Sequence, residues 1–468
     1  MYQIKFGTDG WRAIIAKDYT LDNVKRVALA TAKWVKTLNS KNPSVVIGFD
    51  CRFGGRMFME GAAEVFASEG IKCLVAENFV STPMVSLACV HFEATAGIVI
   101  TASHNPPSYN GFKIKAHYGG PASPSEITKV EDLLLEEYPI YSRTYADYKE
   151  SNIVEVVDME SLYVQSVEKS FDMELLRSRN WHWAYDAMYG AGQNVVKRLL
   201  PHAKFLHCEN NPGFHGQAPE PIHRNLLEFS EMIAHANNID SGLATDGDAD
   251  RVGLYNGKGE FVDSHHILLL LIHYLHKHKG LKGKVVNSFS CTGKIKKLAA
   301  HYRLEQETTK IGFKYICDIM VNEDVLIGGE ESGGIAIKGH IPERDGVWIG
   351  LVIWEFMAKS GKSLNELIEE IYSIVGPFAV ERYDLHIDEE LKRKIVDRCA
   401  NNPYSAFGSY NVESIETIDG YKFHLGNEEW VMIRPSGTEP VLRVYAESSS
   451  KKGAFAILDA TKESILNA

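Results

Sequence analysis

The feature that most restricts how this chain folds is an alternation, run through three times, of short apolar β-like runs with helix-length amphipathic segments. Val45–Phe49 is a compact apolar run, followed by Arg52–Gly55 and then a helical pattern through Met59, Ala63 and Phe66. Lys72–Val75 and Gly97–Thr101 repeat the strand signal. A second set begins near Glu160, with Trp183–Asp186 as a strand, Gly190–Gly192 as a turn and Asn194–Leu200 opening a helix. Lys284–Phe289, Val325–Gly328 and the helix Val347–Ala358 make the third. Strands alternating with helices predict an α/β architecture with covered sheets. From Phe378 onward the rhythm changes: Phe378–Ile387 and Tyr421–Val444 read as strands around the helix Glu389–Cys399, an α+β terminal domain.

Length and charge narrow the setting. A chain of 468 residues, at roughly 100–200 residues per domain, holds two to four domains. The polar segment Ser142–Asn152 and the pair Gly376-Pro377 read as joints. Fifty Lys plus Arg against 61 Asp plus Glu leave a net charge of −11, which gives no global field for nucleic acid or an anionic membrane. A phosphorylated ligand must be held by a local cluster of Arg, Lys and backbone N–H groups. The seven cysteines, without any C-x-x-C, read as free thiols of a reducing compartment. The N-terminus lacks a signal-peptide core, and the longest apolar run, around Ile267–Ile272, is far shorter than the ~20 residues of a membrane span. It reads as a buried helix, and the expected location is cytoplasmic.

Two stretches carry the sharpest chemistry. Thr101–Lys113 follows a strand and places Ser103, His104 and Lys113 on a loop stiffened by Pro106 and Pro107 and turned at Asn110-Gly111. A serine on such a loop suits a nucleophile; the plainer alternative is a surface turn with a capping serine. In Asp246-Gly247-Asp248-Ala249-Asp250-Arg251, carboxylates at alternate positions converge if Gly247 and Ala249 let the backbone curl. Two like charges about 4 Å apart repel by ~4 kcal/mol at an effective dielectric of 20, so three together call for a cation. Oxygen ligands without His or Cys favour magnesium or calcium. A calcium loop counted from Asp246 would need glycine where Arg251 stands and glutamate where Gly257 stands. Magnesium fits better.

Three further loops are weak alone. Arg434-Pro435-Ser436-Gly437-Thr438-Glu439-Pro440, with Arg443 one short strand step on, assembles guanidinium, hydroxyl and amide donors suited to a phosphate dianion. Gly328–Gly334 brings Glu330 and Ser332 as acceptors and a hydroxyl for a sugar, and Phe6–Arg12 offers Arg12 on a turn. Gly190-Ala191-Gly192 lacks the third glycine of a dinucleotide fingerprint, and Gly361-Lys362-Ser363 lacks the leading glycine of a Walker loop. No nucleotide site supplies the phosphoryl group.

Taken together and in this order, the five stretches from Phe6 to Arg443 resemble the α-D-phosphohexomutase family of phosphoglucomutases and phosphomannomutases. The resemblance implies four domains around a central cleft: three related α/β units with mixed sheets and an α+β phosphate-binding domain. They are expected at residues 1–148, 149–252, 253–372 and 373–468. It implies that Ser103 is a phosphoserine and that Asp246, Asp248 and Asp250, completed by the phosphoserine oxygen, bind Mg²⁺. Arg12, His104, Lys113 and Arg251 match positions near the reacting phosphoryl group, with Lys113 and His104 both candidate bases. Glu330 and Ser332 match sugar readers, and Arg434, Ser436, Gly437 and Thr438 match the loop for the non-reacting phosphate. Gly334 stands where family members commonly carry histidine, a role that passes to His340. The implied reaction interconverts hexose 1-phosphate and hexose 6-phosphate through a hexose 1,6-bisphosphate, with glucose 1,6-bisphosphate as activator. Glucose is favoured over mannose and glucosamine. Partners are small sugar phosphates, in a monomer or homodimer. A sugar-phosphate phosphatase and a passive phosphate sensor are the rival readings.

Overall fold

The computed structural model describes residues 2–7, 9–38, 40–435 and 441–466. The first sheet has six strands in the spatial order Trp11–Ile14, Tyr109–Ala116, Ala96–Ile100, Ser44–Phe49, Lys72–Ala76 and Val154–Val157. The second has five: Phe261–Val262, Val252–Asn256, Ser241–Thr245, Trp183–Asp186 and Lys204–Leu206. Gln306–Thr309, Lys284–Ser288, Val325–Gly329 and Ile335–Ile337 form the third. All three are mixed. In each, one central strand pairs parallel on one side and antiparallel with its own successor on the other. Those strands are Ala96–Ile100, Ser241–Thr245 and Val325–Gly329, and the loops leaving their C-terminal ends carry Ser103, the three aspartates and Glu330.

The fourth sheet is antiparallel throughout: Ala379–His386, Val441–Ser448, Glu429–Pro435, Tyr421–Gly426 and Ser414–Glu416. One face, with Val431, Ile433, Leu442 and Val444, packs on the helices Glu389–Asn401 and Lys451–Leu466. The segment Tyr421–Val444, expected as strand, is three strands. Asn427 (φ 51°) and Glu428 (φ 62°) make the first reversal, the left-handed pair that a tight hairpin uses.

One apolar cluster runs through the first three units and includes Val85, Tyr163, Val196, Leu243, Leu268 and Trp354. The helix Gly346–Ser360, capped by Asp345 and ended at Gly361 in the left-handed region (φ 65°), is its spine. Nearly all of its residues are buried, because it packs on strands Ser241–Thr245 and Val252–Asn256 as well as on the helix Ser264–His273. A helix enclosed this way needs no polar face. The run Ile267–Ile272 is the buried helix expected of it.

The sheets change over at one joint read from the sequence, Gly376-Pro377, and not at the other expected bounds. Ser142–Asn152 contains the helix Tyr145–Glu150. The strand Val154–Val157 then joins the first sheet beside Lys72–Ala76, so the joint expected at 148–149 falls inside that unit. It is a short edge strand whose Glu155 and Val156 face solvent, which hides its apolar pattern. The joint expected at 252–253 cuts the strand Val252–Asn256. The helix Leu364–Val375 runs through the joint expected at 372–373 and ends at Gly376, where the chain crosses to the fourth sheet. All seven cysteines are buried and unpaired, and no helix among the described residues is long and apolar enough to cross a membrane.

Candidate active site

The Ser103 loop is pinned by one buried guanidinium. Arg52 donates to the carbonyls of Ser103 (2.6 Å), Asn105 (2.6 Å), Pro106 (2.9 Å) and Tyr109 (3.0 Å). Its own counter-charge is Asp50, at 3.3 Å. Burial raises the Asp50 carboxyl to about 6, against the pull of Arg52 and the Thr101 hydroxyl. Ser103 is held in the left-handed region (φ 52°), a conformation that costs a non-glycine residue about 1–3 kcal/mol and recurs at functional sites. The strain aims the hydroxyl: Ser103 Oγ donates to Asp246 Oδ2 at 2.8 Å and lies 3.4 Å from His104 Nδ1. Gly247 permits the approach, since a Cβ there would sit 2.5 Å from the Ser103 carbonyl oxygen.

Asp246, Asp248 and Asp250 are fully buried, with one oxygen of each within 4.8 Å of the others. The Oδ2 atoms are spoken for. Lys113 Nζ lies 2.8 Å from that of Asp248 and 3.0 Å from that of Asp250, and Arg344 Nη2 lies 2.6 Å from the latter. The Oδ1 atoms of Asp248 and Asp250 are buried with no hydrogen-bond partner among the described residues. Two orphaned carboxylate oxygens beside a third carboxylate are a donor set for a hard cation, and they fit magnesium. Burial and its neighbours Asp248 and Asp250 push the Asp246 carboxyl well up. For Asp248 burial acts the same way but Lys113 outweighs it, and the carboxyl falls below the usual range. Burial opposes the charge of Lys113 too, and Asp248, Asp250 and Asp9 overcome it and hold the ammonium protonated.

Arg12 lies beside this centre, donating to Asn105 Oδ1 at 2.6 Å. Arg251 donates its backbone N–H to Asp246 Oδ1 at 3.1 Å. Burial, then Arg251 and Arg12, pushes the His104 imidazole well below its ordinary value, so the ring is neutral at pH 7. From the third unit, Glu330 accepts the Gly312 N–H at 2.9 Å and lies 4.0 Å from Arg344. Ser332 is half-buried in the same loop.

Two residues that the sequence hid complete the centre. Asp9 accepts from Arg344 and lies 2.8 Å from Lys113, and Arg344 spans Asp9, Asp250 and Glu330. Arg344 lies four residues beyond His340, the residue expected to take the role of the missing histidine at Gly334. His340 is instead turned inward: its ring stacks on Trp348 at 3.7 Å and its Nε2 meets Asp345 at 2.9 Å, with 4% of the side chain exposed. It steadies the cap of the helix Gly346–Ser360 and is not brought to the cleft. Gly334, where histidine was expected, gives Arg344 its path, since a Cβ there would lie 2.4 Å from Arg344 Cδ.

On the fourth sheet, Arg434 and Arg443 are opposite one another in register, beside Asp384 on the next strand. Arg382 sits one row on and reaches Glu331 at 3.1 Å, joining this face to the sugar-loop candidate. Arg434 pairs with Asp419 at 3.3 Å, whose carboxylate also accepts the Ile311 N–H at 2.9 Å. Ser436, Gly437 and Thr438 lie outside the described residues.

Comparison with known proteins bears on this arrangement. Residues 3–139, 161–259, 263–375 and 386–464 match, in order, the phosphoglucomutase/phosphomannomutase alpha/beta/alpha domains I, II and III and the C-terminal domain. The chain is 29% identical to a phosphoglucomutase/phosphomannomutase of Thermococcus kodakarensis, over 97% of this chain and 96% of the relative. It is 30% identical to a phosphoglucosamine mutase of Limosilactobacillus reuteri, over 95% and 94%. Among solved structures, a Thermus thermophilus protein described as a candidate phosphomannomutase superposes with a TM-score of 0.87 at 31% identity, covering 99% of each chain. The open form of a Paramecium phosphoglucomutase shares the fold, with a TM-score of 0.83 at 19% identity.

Proposed function

The chain belongs to the α-D-phosphohexomutase family and is a phosphohexomutase, an intramolecular phosphotransferase, and on that premise we propose that Ser103 is the residue that carries the phosphoryl group. The observation that bears most weight is the strained, fully buried Ser103 hydroxyl donating to the aspartate cluster. Asp246, Asp248 and Asp250 would hold Mg²⁺, which when bound offsets charge on the phosphoryl group.

Arg12 and Arg251 flank that group and stabilise charge on its oxygens as it transfers. A sugar hydroxyl attacks phosphorus, the new P–O bond forms as the Ser103 Oγ–P bond breaks, and the hydroxyl proton leaves to His104. His104 suits this role because its ring is neutral, whereas Lys113 is held protonated by three carboxylates. Glu330 and Ser332 read the sugar hydroxyls. Arg434 and Arg443, with the loop at 436–438, hold the phosphate that does not react. The bisphosphorylated sugar then turns over, and its other phosphate passes to Ser103.

The preferred sugar in this reading is glucose, with mannose next, because the run Gly329-Glu330-Glu331-Ser332, which supplies the Glu330 carboxylate, is closer to the glucomutase pattern. A second reading, glucosamine phosphate, is favoured by the relatives of that name and by the same carboxylate, which also suits an ammonium. Turnover of glucose 1-phosphate with Mg²⁺ and catalytic glucose 1,6-bisphosphate, measured in wild type and Ser103→Ala, tests the proposal. Activity lost in the variant and on chelation supports it. Equal activity in both proteins rejects Ser103, and wild-type turnover confined to glucosamine phosphates replaces glucose with the second reading.

A further inference from the structure

A second group of ligating side chains, sharing no residue with the reaction centre, lies in the third unit where the helix Ser264–His273 passes into a π-helical turn, Tyr274–His278. Residues five apart on an α-helix point roughly 140° away from each other. Here the ladder shifts to i→i+5 bonding, as in the Lys279 N–H donated to the Tyr274 carbonyl at 3.0 Å. That shift brings His273 and His278 to one face, with ring centroids 5.3 Å apart. π-turns of this kind cluster at functional sites. Glu370, from the helix Leu364–Val375, closes the group, and one ligating atom of each residue lies within 4.8 Å of the others. An open pocket of about 460 Å³ adjoins it, lined by His273 and Glu370 together with Lys277, His301, Tyr302 and Lys362.

The partners are set as in a built metal site. His273 is 1% exposed, and its Nδ1 lies 2.6 Å from the Tyr302 hydroxyl, which fixes the ring. Its Nε2 is buried without a hydrogen-bond partner among the described residues and faces Glu370 Oε2 at 3.5 Å. Lys362 pairs with the other carboxylate oxygen, Glu370 Oε1, leaving Oε2 for the pocket. An oriented imidazole and an anchored carboxylate are the outer-sphere support that ligating residues need.

We propose that His273, His278 and Glu370 form a binding site for a divalent transition metal of the zinc class, with solvent in the fourth position. Two imidazoles and a carboxylate are a zinc donor set, and zinc at ~2.0–2.2 Å from each brings the ligands to about 3.4 Å apart. The exposed His278 can supply most of that closure. The like charge of Lys277 weakens the site without occupying it. Bound metal ties the π-turn to the helix Leu364–Val375.

The test titrates Zn²⁺ into the full chain with Mg²⁺ in excess to fill the acidic loop, reading occupancy against a chromogenic chelator and Tm in parallel. One zinc is expected in wild type and in Asp246→Asn, at least tenfold weaker in His278→Ala and in Glu370→Gln. Zinc should raise Tm in wild type and not in His278→Ala. His278 is exposed, so its zinc-free Tm should match wild type and separate lost binding from lost fold. Zinc that binds all four proteins alike, that is lost only in Asp246→Asn, or that binds none of them overturns the proposal.

Discussion

The proposed reaction centre and the proposed phosphate face of the fourth unit both gather charged groups, but they hold them differently. Around Ser103 nearly every charge is buried and answered. Asp50 has Arg52, Asp9 has Lys113 and Arg344, and Asp250 has Lys113 and Arg344. These groups come from three sheets whose cores run together. The fourth unit keeps its own core behind its sheet and meets the third through an apolar patch flanked by polar contacts. There Phe289 packs with Trp430, Met432 and Tyr445, and the buried Glu447 accepts from Thr292 Oγ1 (2.7 Å) and the Gly293 N–H (2.9 Å). Arg382, Arg434 and Arg443 are only partly buried beside their acidic neighbours. The contrast fits two tasks. Under the proposed function, phosphoryl transfer needs fixed geometry, whereas a phosphate grip that takes either end of a sugar needs strong, generic donors on a unit able to shift.

The largest expected effect breaks the centre itself. Ser103→Ala should lower kcat to below about a thousandth of wild type while leaving sugar-phosphate binding intact by calorimetry. Next, Arg344→Met strips the shared counter-charge from buried Asp250 and partly buried Asp9. Removing one partner of a buried charge set costs about 3–5 kcal/mol, so denaturant unfolding should show a loss of that order together with a fall in kcat. A variant as stable as wild type would show that the centre is less tightly compensated than its geometry implies.

The fourth unit should answer differently. Arg434→Ala should raise KM by roughly ten- to a hundredfold, as expected for a charge-assisted contact made in ground and transition states alike, with kcat changed severalfold at most. A fall confined to kcat would erase the distinction between the two regions. The smallest effect concerns the joint. Lys422 is buried over Phe289 and Trp430, and burial lowers it to about 8 from the ordinary lysine range. A depressed lysine costs stability in full below pH 8, and the cost fades as pH rises toward 10.5, where the unfolded chain also loses the proton. Lys422→Met should therefore raise Tm at pH 7, and the gain should shrink between pH 8 and 10.5.

Much of this was legible in the residues. Three strand–helix sets followed by a different terminal set are visible because apolar periodicity is local. The loops carrying Ser103 and the aspartates announce themselves because several reactive residue types crowd into a few positions, whereas the Glu330 loop is weak alone and gains meaning only beside them. Lone residues were not. Arg52 organises the Ser103 loop from a distant turn, and nothing about an isolated arginine marks it for that work. Arg344 stands only four residues beyond His340, and the sequence offers no reason to prefer the arginine. The edge strand Val154–Val157 went unseen because half of it faces water.

What the sequence determined alone is the inventory: alternating elements, an acidic chain with local clusters of arginine, and loops whose chemistry calls for phosphate and a hard cation. Tertiary structure decided which charges meet. Only folding brings Asp9, Lys113, Asp250 and Arg344 within ion-pair distance, turns His340 onto Trp348 and aligns His273 with His278 through a π-turn. The physical reason is range. Periodicity and turn chemistry act over a few neighbouring residues, whereas a buried charge takes its partner from whatever the packed sheets deliver, and that partner is set by three-dimensional register rather than by position along the chain.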